Sequence, residues 1–269
     1  MSKRWLQTSV RVTLVVAATS IASAIGLVIA RAVLPADDLR AATNEVGNYL
    51  QTVGGIYAVL LAFVVYVVWG QFNDARGFVD QEASALVDLH RTASGLPTMT
   101  RVAIQNGLVE YVTLVVRDEW QAMARHDRAA IERVGEKLDP IWTAIHCCKP
   151  SDTCEAAIYG EVLSQFNELT DIRTRRLTAA TSRIPQAMKL LLYSGGLIVI
   201  GSMYLMAIDP LWLHLLVTAA LAGAIAHILY LILDLDAAFR GERIPKTPFE
   251  QARRAFDRAT YVLGHHEPL

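Results

Sequence analysis

The run GNYLQTVGGIYAVLLAFVVYVVWGQFNDA, residues 47–75, decides the fold. From Val46 to Asn73 it holds no Asp, Glu, Lys or Arg. A helix needs about 20 apolar residues to cross a hydrocarbon core of roughly 30 Å, and this run is long enough. Three more charge-free runs share the chain: Val12–Ala30, Leu190–Ile208 and Pro210–Leu233. Lipid offers no partner to a backbone N–H or C=O, so each run is expected to be a helix. A single run reads equally well as a buried core helix; four in one chain do not. The sequence therefore predicts an all-α polytopic membrane protein with spans at about 11–34, 47–70, 188–208 and 210–233.

Composition agrees. Of 269 residues, 53% are hydrophobic and 19% charged, with a mean hydropathy of +0.32; a soluble domain carries about 25% charge. So many apolar residues exclude a disordered chain, and three Cys exclude a disulfide-stapled scaffold. A formal net charge of −1 removes any bulk argument for a nucleic-acid partner.

Lys3 and Arg4 before an apolar stretch, with Ala30-Arg31-Ala32 as a small-x-small site, have the form of a signal peptide. The apolar stretch is too long for one, and Arg31 suits a snorkelling helix end better than a cleavage site, so a retained span is expected. Basic residues set orientation. Lys3, Arg4 and Arg11 precede the first span. Arg173, Arg175, Arg176, Arg183 and Lys189 precede the third. Arg240, Arg243, Lys246, Arg253, Arg254 and Arg258 follow the fourth. Between the first two spans Arg40 stands against Asp37, Asp38 and Glu45, and the last turn offers only Asp209. The expectation is a multi-pass protein of the cell inner membrane with both termini cytoplasmic. It divides into a spanning pair (1–70), a cytoplasmic helical bundle (71–186), a second spanning pair (187–234) and a cytoplasmic tail (235–269).

The bundle reads as helices. Phe72, Ala75, Val79, Leu86 and Leu89 continue the second span at three-four spacing until Gly95-Leu96-Pro97 ends it. Leu108, Val112, Val116 and Trp120 mark a second helix, and a third covers about 128–146, divided or kinked at Pro140. A fourth starts at Asp152, with Glu155 three later as a capping-box variant, and runs to about Ser182; Pro185 follows.

Few residues invite chemistry. Glu82 falls on the apolar stripe of the first bundle helix, where a lone carboxylate is costly. Arg175 or Arg176 is its expected partner if it does not reach solvent instead. His146, Cys147, Cys148 and Cys154 offer soft-metal ligands without a second well-spaced pair, so loop thiols are the plainer reading. Cys148 and Cys154 could also bridge, which a reducing cytoplasm disfavours. His214 and His227 lie inside a span, where ionisable residues point to function; a neutral His bonded to a neighbouring helix is the commoner case. Gly47, Gly54 and Gly55 permit close helix contact or a bend. No phosphate-binding glycine loop, Ser/His/Asp pattern or metalloprotease motif is present, so neither an enzyme nor a cofactor is expected. In the second span Ile56, Leu60 and Val64 form one i, i+4 line, and Val59, Phe63 and Val67 its neighbour. Around an oligomer axis either line makes an apolar constriction of the kind that gates by dewetting.

The blocks YAVLLAFVV (57–65), EASAL (82–86) and LHRTASGLP (89–97) resemble the bacterial bestrophin-like membrane protein family of unknown function, distantly related to bestrophin ion channels. So do ELTDIRTRRLTAATSRIPQAMKLLL (168–192) and ILDLDAAFRGERIP (232–245). The resemblance implies a pentamer with four spans per subunit, a helical cytosolic part and a pore lined by the second span. The bestrophin neck is an Ile and two Phe spaced by four; here only Ile56 matches its line, and Phe63 lies on the neighbouring one. Bestrophins also carry a Pro-Phe-Gly and an acidic calcium clasp after the fourth span. Here Phe239, Gly241 and Glu242 remain, but Arg243 breaks the acidic run, leaving Asp234 and Asp236 as a weak cation site. The expectation is a homo-oligomeric channel for small inorganic ions in the lipid bilayer, with charge selectivity from rings such as Glu45 or Asp74. The competing reading is a non-conducting scaffold or sensor whose bundle binds a partner.

Overall fold

The computed structural model describes residues 3–240 and 243–264, and every regular element among them is helical. In order these are α1 (Lys3–Val33), α2 (Ala36–Thr92), α3 (Thr98–Leu114), α4 (Trp120–Arg125), α5 (Arg128–Gly135), α6 (Asp139–His146), α7 (Thr153–Thr181), α8 (Gln186–Tyr204), α9 (Leu211–Leu235) and α10 (Thr247–Gly264). The chain forms two compact units, residues 1–70 with 183–236, and 71–182 with 237–269. Among the described residues four stretches of helix are long and apolar enough to cross a membrane.

In the first unit α1 packs along α9. Gly223 lets them close in: a Cβ there would sit 2.7 Å from Ser20 Oγ, and that hydroxyl donates to the Ala219 carbonyl at 2.9 Å. Small residues at a helix crossing serve the same purpose throughout membrane proteins. Tyr57 of α2 lies over Gly195 and Gly196 of α8, where a Cβ at Gly195 would meet its ring at 2.6 Å; its hydroxyl donates to the Leu192 carbonyl at 2.8 Å. Gly54 and Gly55 meet nothing within 4 Å, so the close contact lies on α8 rather than at the glycines of α2. The third apolar run extends to Ile208, yet α8 stops at Tyr204. The non-helical backbone beyond it is satisfied by side chains instead: Arg31 donates to the Ile208 carbonyl, and Thr43 Oγ1 accepts from the Ala207 N–H at 3.1 Å. Arg31 and Arg40 also approach Asp209 at 3.6 and 3.8 Å.

In the second unit the sequence breaks act as expected. α2 ends through a 3-10 turn at Ala93–Gly95 before Pro97, and a 3-10 turn at Glu136–Leu138 divides α5 from α6 beside Pro140. Asp152 caps α7 by accepting from the Glu155 N–H at 2.7 Å. Glu155 reaches back to the Ser151 N–H at 2.7 Å rather than to the cap residue's own. The second bundle helix departs from expectation. After Leu114 the chain makes a π turn, Val115–Glu119, which inserts a residue. Val115, Glu119 and Trp120 are buried, while Val116 is only partly so. The tail adds α10, whose Phe249, Ala252 and Phe256 are buried against the bundle.

His90, at the C-terminal end of α2, stacks on Phe256 with centroids 4.4 Å apart. Burial lowers its pKa, so the folded state keeps the imidazole neutral where the unfolded chain, at about 6.5, takes up a proton. Stability is unaffected above that pH and falls as pH drops below it. Melting followed between pH 7.5 and 5.5 is expected to fall less for His90→Phe, which keeps the ring contact, than for the wild type.

Candidate functional site

One face of α2 is buried along both units. Tyr57, Leu61, Val64 and Val68 are buried in the first unit; Ala75, Val79, Glu82, Ala83, Leu86 and Leu89 continue the stripe in the second. The three-four spacing is that of a single helical face. Glu82 is the one carboxylate on it and is fully buried.

Its charge is met. Arg176 of α7, also fully buried, donates from Nε to Glu82 Oε2 at 2.6 Å and from Nη2 to Oε1 at 3.2 Å. Tyr111 Oη of α3 donates to Oε1 at 2.6 Å. Arg176 Nη2 also bonds Glu119 Oε2 at 2.7 Å, and Arg173 closes the cluster by donating to Glu119 Oε1, to Tyr111 Oη at 3.0 Å and to the Ile131 carbonyl at 3.2 Å. Phe249 of α10 faces the Arg176 guanidinium, 5.4 Å from ring centroid to carbon. Two carboxylates thus balance two guanidiniums. Burial opposes the charge on Arg176, but Glu82 and Glu119 outweigh it and raise its pKa further. Burial, then the two carboxylates, raise the Tyr111 pKa well above its usual value, keeping the phenol a donor.

Of the two arginines expected for Glu82, Arg176 is the partner. Arg175 is exposed on the other side of α7, because consecutive residues on a helix point about 100° apart. Glu119, Arg173 and Tyr111 were not anticipated. Glu119 follows buried Leu108, Val112 and Val115 at four-three-four spacing, so it falls on the inward face that they mark.

The opposite face of α2 is uncharged and open. Ile56, Val59, Phe63 and Tyr66 are 68%, 71%, 58% and 77% exposed. Glu45 and Asp74, both exposed, fall on the same face by three-four steps and bracket the charge-free run. Leu60 is half-buried and Val64 only 1% exposed. The i, i+4 line from Ile56 drifts by about 40° a step, so two steps carry Val64 onto the buried stripe. Phe63 stays open.

The remaining candidates are placed as follows. Asp236 accepts from the Ile184 N–H at 2.7 Å and pairs with Lys189 at 3.0 Å, so its oxygens brace the start of α8. Asp234 is half-buried, and Glu242 lies outside the described residues. Cys147 and Cys154 are exposed, Cys148 is buried and all three are free thiols. His146 stacks on Trp142. Among the described residues no group of three His, Cys, Asp or Glu is placed to hold a metal. His214 is fully buried and hydrogen-bonds through Nε2 to the Met203 carbonyl of α8 at 2.9 Å; His227 is exposed.

Removing one member of a buried ion pair strands its partner at a cost of about 3–5 kcal/mol. Glu82→Gln and Glu119→Gln are therefore expected to lower the melting temperature sharply. Arg175→Ala, on the exposed side of the same helix, should stay within about 0.5 kcal/mol of wild type. Equal melting of all three variants would dissolve the cluster's role.

Comparison with known proteins bears on the whole chain. A bacterial bestrophin homologue from Klebsiella pneumoniae, solved as a point variant, superposes with a TM-score of 0.67 at 15% identity, covering 93% of this chain and 99% of that one. A second variant structure gives 0.64 at 17%, covering 93% and 96%, and a further bacterial bestrophin homologue structure from the same organism gives 0.63 at 17%, covering 93% and 97%. At these identities the likeness is one of fold. No curated protein matches. The family model for the Bestrophin-like domain matches residues 17–248, and the chain belongs to that bestrophin-like family.

Proposed function

We propose that this protein is a homo-oligomeric ion channel, a pentamer, with α2 lining the pore. The observation that carries the reading is the two-sided character of α2. In the first unit one face is sealed by packing of Tyr57, Leu61, Val64 and Val68, while the other presents an apolar stripe, with no charge in the sequence between Glu45 and Asp74. A helix whose open face is apolar at the centre and acidic at both ends suits a narrow dry neck with charged mouths. Family membership supports it, since bestrophins are ion channels.

Repeated around an axis, Ile56, Val59 and Phe63 form the constriction and Tyr66 widens toward a polar end. Leu60 stands at its edge and Val64 outside it. Glu45 and Asp74 give carboxylate rings, which concentrate cations and repel anions at the mouths. The chain sits in the inner membrane with both termini and the bundle cytoplasmic, as its basic flanks direct.

Two measurements follow. Shortening a pore-facing side chain widens the water column and lowers the cost of ion entry, so Ile56→Ala and Phe63→Ala should raise conductance or open probability in lipid bilayers. Val64→Ala should instead cost stability, about 0.5–1.5 kcal/mol or more for a buried aliphatic truncation, without that gain. Wild-type currents from assembled Ile56→Ala and Phe63→Ala would remove α2 from the pore. For topology, single Cys residues at positions 37 and 125 in a cysteine-free chain are treated with an impermeant thiol reagent on intact cells. Position 37 should react and position 125 should not; the reverse inverts the assignment.

A further inference from the structure

The second unit carries two charged grooves of opposite sign. Between α2 and α7 lies a groove of about 810 Å³, lined by Asp80, Asp88, Glu161, Glu168 and Asp171 against the single base Arg175. The other, about 480 Å³, is lined by Arg117, Arg125, Arg133 and Lys137 against Asp118 and Asp127. Asp127 caps α5, accepting from the Ala130 N–H at 3.1 Å, while Arg117 pairs with Asp118 at 2.8 Å and Lys137 with Glu110 at 2.9 Å, which among the described residues leaves Arg125 and Arg133 as the bases of this face outside an ion pair with its acids. Helix α7 separates the two: Asp171 and Arg175 face the acidic groove, while Arg173 points inward to Glu119 and to the Ile131 carbonyl of α5.

Among the described residues the acidic groove has no set of three carboxylates placed around a metal, so a resident cation does not account for it. Nor is the chain acidic as a whole, with 26 acidic and 25 basic residues. The charge is sorted onto different faces rather than unbalanced. A closed ring is built from heterologous contacts, one face of a copy against a different face of the next, and opposed potentials fix such a register while like charges reject the wrong one.

We propose that the acidic α2/α7 groove of one copy receives the basic face around Arg125 and Arg133 of the next copy, so that this pair of faces forms the head-to-tail cytoplasmic contact of the ring. The inference rests on the homo-oligomer proposed above and names the surfaces that make it. It assigns no soluble partner to the acidic groove.

Cross-linking tests the contact directly. In full-length protein with Cys147, Cys148 and Cys154 changed to Ser, Asp80→Cys and Arg125→Cys are introduced singly and together, and the detergent-solubilised protein is treated with a short bis-thiol reagent. The double variant should give a covalent ladder rising to the full ring, and neither single variant should cross-link. Dimers from a single variant would mean a face meeting its own copy and would overturn the proposal, as would an assembled double variant that yields no ladder. A wild type that sediments as a monomer would instead bring down the channel reading itself. Charge reversal is the second arm. Glu168→Lys with Asp171→Lys, or Arg125→Glu with Arg133→Glu, should each raise the concentration at half-assembly roughly tenfold, and the fourfold swap should restore it. If a reversal pair melts early, the matching amide pair (Glu168→Gln with Asp171→Asn, or Arg125→Gln with Arg133→Gln) replaces it and should flatten the salt dependence of assembly; an unchanged salt dependence counts against the contact.

Discussion

Three fully buried charges, with Arg173 half-buried at their edge, govern this structure. Glu82, Arg176, Glu119 and Arg173 come from α2, the π turn and α7, with Tyr111 of α3 hydrogen-bonded among them. Each ion loses its hydration on folding, a penalty of several kcal/mol that only near-complete pairing offsets. The cluster is satisfied only when all of these elements are in register, because a shift of one residue on any helix turns its charge away by about 100°. Apolar packing alone would tolerate such slips. A buried ion pair adds little net stability, because Coulombic attraction is largely spent on desolvation.

α2 is a single helix from Ala36 to Thr92. In the first unit its buried face carries Tyr57, Leu61, Val64 and Val68. Once it is committed to packing, the stripe through Ile56, Val59 and Phe63 is left open. Tyr57 pins that face in the first unit through the glycine pair of α8 and the Leu192 carbonyl. The proposed pore surface is thus what remains of α2 after its buried side has been used, and its lack of charge is a property of sequence rather than of exposure.

The sequence discloses most of the fold and part of the site. Long charge-free runs announce the spanning helices because lipid leaves the backbone no alternative, and Pro97, Pro140 and Pro185 mark breaks that occur where steric rules put them. Glu82 stands out because a carboxylate interrupts an apolar stripe, and Arg176 lies among its foreseeable partners. Glu119 is easily passed over, since it follows Arg117 and Asp118 in a polar stretch, although it continues the spacing of Leu108, Val112 and Val115 onto the buried face. Val64 is buried while Ile56 is open for a geometric reason, since an i, i+4 line is only approximately straight on a helix and its last member leaves the face. The Asp236 carboxylate has the composition of a cation ligand, but the Ile184 N–H and Lys189 occupy it, a long-range pairing that local spacing does not encode.

The central claim, that copies of this chain surround an ion-conducting α2 pore, is tested most directly by recording purified protein in planar bilayers under a salt gradient, with incorporation of the intact oligomer verified on the same sample. The account predicts discrete unitary currents whose reversal potential is displaced from zero toward the cation equilibrium potential, as the Glu45 and Asp74 rings require. Silent bilayers containing assembled protein would contradict it.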